Sequence, residues 1–285
     1  GFAGTLTMLS EDDAVPYDRP NLSKDYLAGT APEEWIPLKD EDFYRENGID
    51  LRIGTRALAI DAERREVLVE GGEALAFDSL LLATGAEAVR LPIPRFERGS
   101  VYRLRSLTDA RAIIAGAERA GTAAVVGASF IGLEAAASLR ARGLAVHVVA
   151  PEQVPMGKVL GTDIGAFVRG LHEDHGIVFH LGRTSTRFDD RKLLLDDGSS
   201  IETDMVIVGT GVRPRTGLAE AGGIATENGI VVDEYLETSI PGIYAAGDVA
   251  SFPLAGTGER ARIEHWVVAQ RQGQAAARDM LGGRM

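Results

Sequence analysis

The chain has 285 residues, 45% of them hydrophobic, enough for two domains and a substantial core. A formal net charge of −12 argues against a general nucleic-acid binder, and the absence of cysteine excludes disulfides, a thiolate metal site and a redox-active cysteine pair within the chain. No run approaches the ~18 consecutive apolar residues of a membrane span and no leading signal sequence is visible, so a cytoplasmic location is expected and any redox work needs a bound cofactor.

In chain order, residues 2–9 read as a strand, and residues 11–26 as a polar loop punctuated by Pro16 and Pro20. Residues 40–47 read as a short helix. Strand-like runs at 51–53, 57–60 and 66–70 suggest an inserted meander, after which residues 80–82 enter Ala83-Thr84-Gly85. Pro92 and Pro94 mark a first boundary, and residues 107–119 begin a new αβ unit with Thr108 and Asp109 in N-cap style.

Residues 122–152 then read as strand, phosphate-binding turn, helix and second strand, half of a doubly wound nucleotide-binding fold. Gly127 allows the tight turn, Gly132 lets the helix pack closely on the sheet, and the free N–H groups of the helix N-terminus face a pyrophosphate. The middle glycine of G-x-G-x-x-G is Ser129, whose hydroxyl can donate to phosphate. Glu152 lies 25 positions after Gly127 (152 − 127), near the ~20-residue offset at which an acid meets an adenosine ribose. A carboxylate there accepts from a 2′-hydroxyl and repels a 2′-phosphate, so NADH is favoured over NADPH; an ordinary loop acid is the competing reading.

Beyond it come a helix at 164–174, strands at 177–180, 192–195 and 205–208, and a turn at 209–214. From about Thr238 the chain returns to the first domain through 242–248 and ends in a helix over 265–281. An internal repeat orders these elements. Gly1 to Glu11 resembles Gly143 to Glu152, and Leu80 to Gly85 resembles Val206 to Gly211. The expected fold is therefore α/β, with two nested Rossmann-like dinucleotide-binding domains of the three-layer ββα type. Residues 1–100 with 238–285 are expected to form one discontinuous dinucleotide-binding domain, and 101–237 an inserted NADH-binding domain. By comparison with the central copy, the first module's own phosphate loop, roughly 25 to 35 residues, is expected to be missing ahead of Gly1.

Six stretches carry a resemblance: PYDRPNLSKDYL (16–27), LLLATGA (80–86), VVGASFIGLEAA (125–136), GTGVRP (209–214), IYAAGDVA (243–250) and IEHWVVAQRQG (263–273). In that order they resemble the FAD- and NAD(P)-dependent pyridine-nucleotide oxidoreductases of the ferredoxin-reductase and apoptosis-inducing-factor-like group. ASFIGLE, APE and IEHW look most like the branch whose members can carry a fused Rieske domain. The resemblance implies a C-terminal interface domain after the last helix, expected to be missing beyond Met285. The resemblance implies hydride transfer from NADH to FAD, and single electrons passed on to an iron–sulfur partner, a ferredoxin or a Rieske centre. An NADH-responsive redox sensor or scaffold of the apoptosis-inducing-factor type is the alternative, as is a fragment that binds NADH only.

Roles follow residue by residue. Glu11 ends the first acidic strand and is expected on the adenosine ribose of FAD, or is a surface acid. Arg19 and Lys24, in the proline-stiffened loop, are expected to neutralise pyrophosphate and polarise the flavin ring, with Thr84, Gly85 and Gly247 lining the same cofactor. Asp248 is expected to accept from the ribitol hydroxyls, or is a helix N-cap. The resemblance places Glu134 against the nicotinamide, and Glu134 and Lys24 are the expected catalytic residues. Phe130 or Ile131 shields the ring stack, or simply packs, and Gly211 admits the nicotinamide half. His265 and Trp266 open the last helix beside the flavin, or form a buried core pair. His147, His172, His175 and His180 have no partner spacing that compels a metal site and read as surface or packing residues.

Overall fold

The computed structural model describes residues 2–97 and 99–283. Gly1, where the repeat opens, and Met285, the expected domain limit, lie outside the described residues. The chain forms two compact units: 1–14, 41–87 and 212–285 in one, and 15–40 with 88–211 in the other. Packing thus assigns residues 15–40 and 88–100 to the second unit and 212–237 to the first, along lines different from a division by cofactor.

In the second unit, five parallel strands lie in the order Ile177–Leu181, Ala145–Ala150, Thr122–Val126, Met205–Val208, Val101–Arg103. Strands covered on both faces need near-continuous apolar runs, and the central two supply them: Ala123 to Val126 and Met205 to Val208 are all buried. The helices Phe130–Ala141 and Thr162–Asp174 connect the first three of those strands in turn, which is the half-Rossmann order expected of an α/β chain. On one face the antiparallel strands Ser185–Asp189, Lys192–Leu195 and Ser200–Glu202 close a core of Val126, Val149, Phe188, Leu193 and Val206. The first and last of those three strands were not expected, because Ser185–Asp189 (STRFD) and Ser200–Glu202 (SIE) each carry a single apolar residue, too little pattern to stand out.

Helix Leu107–Ala117 opens on Ser106 rather than on Thr108 or Asp109. The Ser106 hydroxyl accepts from the Asp109 N–H at 3.1 Å and the Asp109 carboxylate accepts from the Ser106 N–H at 2.8 Å, a reciprocal capping box. The stretch expected as a polar loop contains the 3₁₀ turn Arg19–Ser23 and the helix Asp25–Ala28. Its apolar residues explain the difference, since Leu22, Tyr26 and Leu27 are buried, as is Ile36 farther along the same segment.

The first unit pairs Leu6–Leu9 with Ile49–Arg52 and Leu80–Leu82 with Ile243–Ala245, both parallel. Of the runs expected as a meander, 57–60 and 66–70 are in it, as Ala57–Asp61 and Glu66–Val69 with the further strand Ala74–Ala76, whereas the 51–53 run belongs to the parallel strand Ile49–Arg52. A core of Ile60, Leu82, Ile230, Ile243, Tyr244 and Ala276 joins the strands to the last helix, Trp266–Met280.

Asp204 ties two strand starts together in the second unit. One carboxylate oxygen accepts from the Gly121 and Thr122 N–H groups at 2.8 and 3.0 Å and from the Thr122 hydroxyl at 3.0 Å. Burial raises its pKa, but the two N–H groups, the hydroxyl and the Arg191 guanidinium outweigh that, and the net shift is below the ordinary carboxylate value. A depressed folded-state pKa stabilises above the unfolded value and is lost as pH falls through the folded one. Asp204→Asn is therefore expected to cost about 1–3 kcal/mol at neutral pH, with the deficit shrinking in strong acid; urea melts at pH 7 and pH 3 measure both.

Candidate dinucleotide site

After the strand Thr122–Val126 the chain turns at Gly127, whose φ of +108° suits glycine. Its N–H donates to the Val149 carbonyl at 2.8 Å, fastening the turn to the next strand. A Cβ on Gly127 would strike the Gly209 carbonyl, one on Gly132 would strike the Gly127 carbonyl, and one on Gly209 would lie 2.7 Å from the Gly132 Cα. Three backbones meet with no side chain between them, which brings the helix N-terminus onto the sheet where its free N–H groups face outward. Gly209 belongs to this contact as fully as the two fingerprint glycines. Sequence reading overlooked it because its partners lie some 80 positions upstream.

Ser129 caps the helix Phe130–Ala141, its hydroxyl accepting from the Gly132 N–H at 3.2 Å. The hydroxyl proton goes to the Gly209 carbonyl at 2.6 Å, so Ser129 buttresses the turn where a phosphate contact was expected. Phe130 is 51% exposed, Ile131 is half-buried, and both lie in the first turn of the helix. Glu152 follows the strand Ala145–Ala150 and its backbone carbonyl accepts from the Gly182 N–H at 3.1 Å. Its half-buried carboxylate has no hydrogen-bond or ion-pair partner among the described residues, leaving it open to a ligand hydroxyl. Gly211 has φ +99° and open space where a Cβ would sit.

One turn into the helix, Glu134 meets the early segment of the chain. Its Oε2 accepts from the Lys24 Nζ at 3.0 Å and from the Ser23 hydroxyl at 2.6 Å, across 110 and 111 sequence positions. The expected catalytic pair is thus a contact pair, with Ser23 as a third member that local sequence reading missed. Lys24 Nζ also donates to the Pro20 carbonyl at 3.0 Å, and the buried Ser138 hydroxyl donates to the Ser23 carbonyl at 2.8 Å.

The segment carrying these residues is anchored at both ends. Leu107 donates its N–H to the Tyr17 hydroxyl at 3.0 Å, and Arg19 donates to the Arg105 carbonyl at 2.8 Å while its guanidinium lies 4.7 Å from the Tyr17 ring centre. Farther on, Tyr26 donates to Glu33, which also accepts from Arg111 Nη2 at 2.6 Å. Burial first, then the Glu33 carboxylate, pushes the Tyr26 phenol up to about 12, while the hydrogen bonds from Arg111 and Tyr26 hold Glu33 below the carboxylate range.

In the first unit Glu11 is exposed and held by two cations: Arg215 Nη1 at 3.1 Å from one oxygen and Arg56 Nε at 3.9 Å from the other. Arg215 also fixes the expected Thr84-Gly85 turn, its carbonyl accepting from the Thr84 hydroxyl at 2.8 Å and its N–H donating to the Gly85 carbonyl at 2.9 Å. Thus Glu11, Thr84 and Gly85 share one hub that the sequence did not disclose. Gly247, at φ +80°, donates its N–H to the buried Gln272 side chain at 2.8 Å. Asp248 lies inside the 3₁₀ turn Gly247–Val249, not at its cap, and its carbonyl accepts from Arg262 at 3.1 Å. His265 caps the last helix, Nδ1 accepting from the Val267 N–H at 3.2 Å, and its ring stacks with Trp266 at 6.4 Å between centres and 20° between planes. Both are exposed, Trp266 by 58%, which removes the reading of a buried core pair. Among the described residues, no helix is long and apolar enough to cross a membrane.

The family model for pyridine nucleotide-disulphide oxidoreductases matches residues 2–273. Rhodocoxin reductase from Rhodococcus erythropolis is 34% identical over 287 aligned positions, covering 99% of this chain and 67% of that protein. The ferredoxin–NAD(+) reductase component of the biphenyl dioxygenase system from Paraburkholderia xenovorans strain LB400 is 35% identical, covering 99% and 69%. Among solved structures, the covalent complex of putidaredoxin reductase with putidaredoxin superposes with a TM-score of 0.95 at 31% identity, over 99% of this chain and 70% of that one.

Proposed function

Because the chain belongs to the pyridine nucleotide-disulphide oxidoreductase family, we propose that it is an NADH-dependent reductase that passes electrons through FAD to an iron–sulfur protein of the ferredoxin type. The observation that carries this reading is the Lys24–Glu134 contact, one turn into the helix that opens at the phosphate turn. With no cysteine in the chain, no dithiol relay operates within it, and the path must lead from nicotinamide to flavin to partner. FAD, when bound, takes up two electrons as hydride and releases them singly.

The residues present fit both cofactors by their chemistry. For NADH they offer a phosphate turn whose glycines admit no Cβ, a capped helix N-terminus and the unpartnered Glu152 carboxylate. For FAD they offer the left-handed glycines Gly85 and Gly247, the Arg215 hub and the exposed His265–Trp266 stack. The domain division by cofactor, residues 1–100 with 238–285 for FAD and 101–237 for NADH, is part of this proposal, as is a cytoplasmic location.

The chain's own work is positional. Glu134 holds the Lys24 ammonium in place, and Ser23 fixes the carboxylate oxygen that does so. Their mutual pairing keeps a cation near the redox centre without committing a proton to the transfer step. Glu152 accepts from the ribose and opposes a 2′-phosphate. Glu152→Ala is expected to weaken NADH binding about tenfold and to narrow the preference over NADPH, read from KM for both nucleotides; unchanged values for both would remove Glu152 from the site.

Rapid-mixing kinetics of the FAD-loaded protein test the whole proposal. Fast bleaching of the flavin by NADH, followed by fast reoxidation by a ferredoxin, supports it. Bleaching that no iron–sulfur acceptor reverses would overturn the assignment of partner.

A further inference from the structure

Two histidines that the proposed chemistry does not use face each other on neighbouring strands of the five-stranded sheet. His147 lies on Ala145–Ala150 and His180 on Ile177–Leu181, an edge strand, where the parallel register sets His147 opposite Val178 and Val149 opposite His180. All four side chains therefore share one face. His147 Nδ1 and His180 Nε2 are 3.1 Å apart, with ring centres at 5.3 Å and planes inclined by 32°.

The strands of the small antiparallel sheet cover Val149 on this face, yet both imidazoles are only half-buried and Val178, the register partner of His147, is 47% exposed. Water reaches the pair. The Asp197 carboxylate acts on His180 and is itself ion-paired to Arg183 at 2.7 Å. Burial lowers the pKa of both rings, with the neighbouring His180 adding to the effect at His147 and Asp197 opposing it at His180. Both are then neutral at pH 7, the state in which an imidazole can ligate a metal.

We propose that His147 and His180 form a two-imidazole site for a late first-row divalent cation such as Zn²⁺ or Ni²⁺, completed by water. A cation at ~2.05 Å from each of two nitrogens 3.1 Å apart subtends roughly 100° between them, which lies between the octahedral and tetrahedral angles. Without the cation the two nitrogens face nearly head-on and share one proton in an N–H···N hydrogen bond. On binding, the proton of the donor ring passes through solvent to that ring's own other nitrogen, so both imidazoles stay neutral, and each ring swings by roughly 40° so that its lone pair aims at the ion. Two protein ligands on a rigid sheet make a site open to solvent and to exchange. Among the described residues no group of three or more histidine, aspartate or glutamate side chains competes with it for a metal.

The test is calorimetric titration of the untagged chain with Zn²⁺ and with Ni²⁺, alongside His147→Gln, His180→Gln and the control His172→Gln. One equivalent bound by the parent and by His172→Gln, and lost in each of the other two, is the expected result. No binding by the parent, or binding that survives in both His147→Gln and His180→Gln, overturns the proposal. A second measurement needs no variant: Ni²⁺ added to the ¹⁵N-histidine-labelled chain broadens the imidazole signals of His147 and His180 ahead of His172, His175 and His265. Broadening that begins at any of those three overturns it equally.

Discussion

Gly132→Val is expected to abolish NADH binding and to lower stability by about 3 kcal/mol or more. The first atom of the new side chain would lie against the Gly127 carbonyl, closer than a Cβ ever approaches, and 3.4 Å from the Gly209 carbonyl. All three glycines are backbone in contact with backbone, so no neighbouring side chain can rotate away to make room. The helix must lift off the sheet, which carries its N-terminal N–H groups away from the phosphate position. Denaturant melts and quenching of NADH fluorescence measure the two effects, and a variant with parental binding and stability would show that the three-backbone contact is dispensable. Ala in place of Val places the same Cβ and should fall on the same side, with a smaller deficit.

Glu134→Gln and Lys24→Met should each slow reduction of the FAD-loaded protein by NADH on the order of tenfold to a hundredfold, with little change in NADH affinity. Glutamine keeps the shape of Glu134 and the acceptor for Ser23 but not the charge that pairs with Lys24. Methionine removes the ammonium and leaves Glu134 with only the Ser23 donor. If the pair acts as a unit, the double variant loses no more than the worse single one. Stopped-flow traces at the flavin band give the rate, and their dependence on NADH concentration gives the affinity. Losses confined to affinity would make the pair a binding device with no part in the transfer step.

Legibility from sequence followed the range of the interactions. The strand Thr122–Val126, the Gly127 turn and the helix to Ala141 were readable because each rests on neighbours within a few positions: an apolar run, a glycine, helix formers. What escaped depends on partners far along the chain. Ser129 is capable of meeting a phosphate, and only the Gly209 carbonyl brought to 2.6 Å reveals where its proton goes. Glu11 lies two residues past the end of the strand Leu6–Leu9, not within it, and Arg215, 204 positions later, engages its carboxylate. The polar look of residues 11–26 hid Leu22 and Tyr26, which lie among charged side chains and are buried. The histidine pair was invisible for the same reason, since His147 and His180 are 33 positions apart and meet only through strand register.

The membership of residues 15–40 in the second unit bears on the order in which the polypeptide can fold as it is made. Tyr17, Ser23, Lys24 and Tyr26 are synthesised early, yet Leu107, Arg111, Glu134 and Ser138, which hold them directly or through Glu33, emerge about 85 to 115 residues later. At ~5–20 residues per second that is a wait of some seconds to tens of seconds on the ribosome, during which Leu22, Leu27 and Ile36 have none of those later elements to cover them. The central module therefore cannot complete itself from its own contiguous stretch, and a fragment cut at residue 101 would start life with an apolar surface that only the distant early segment can seal.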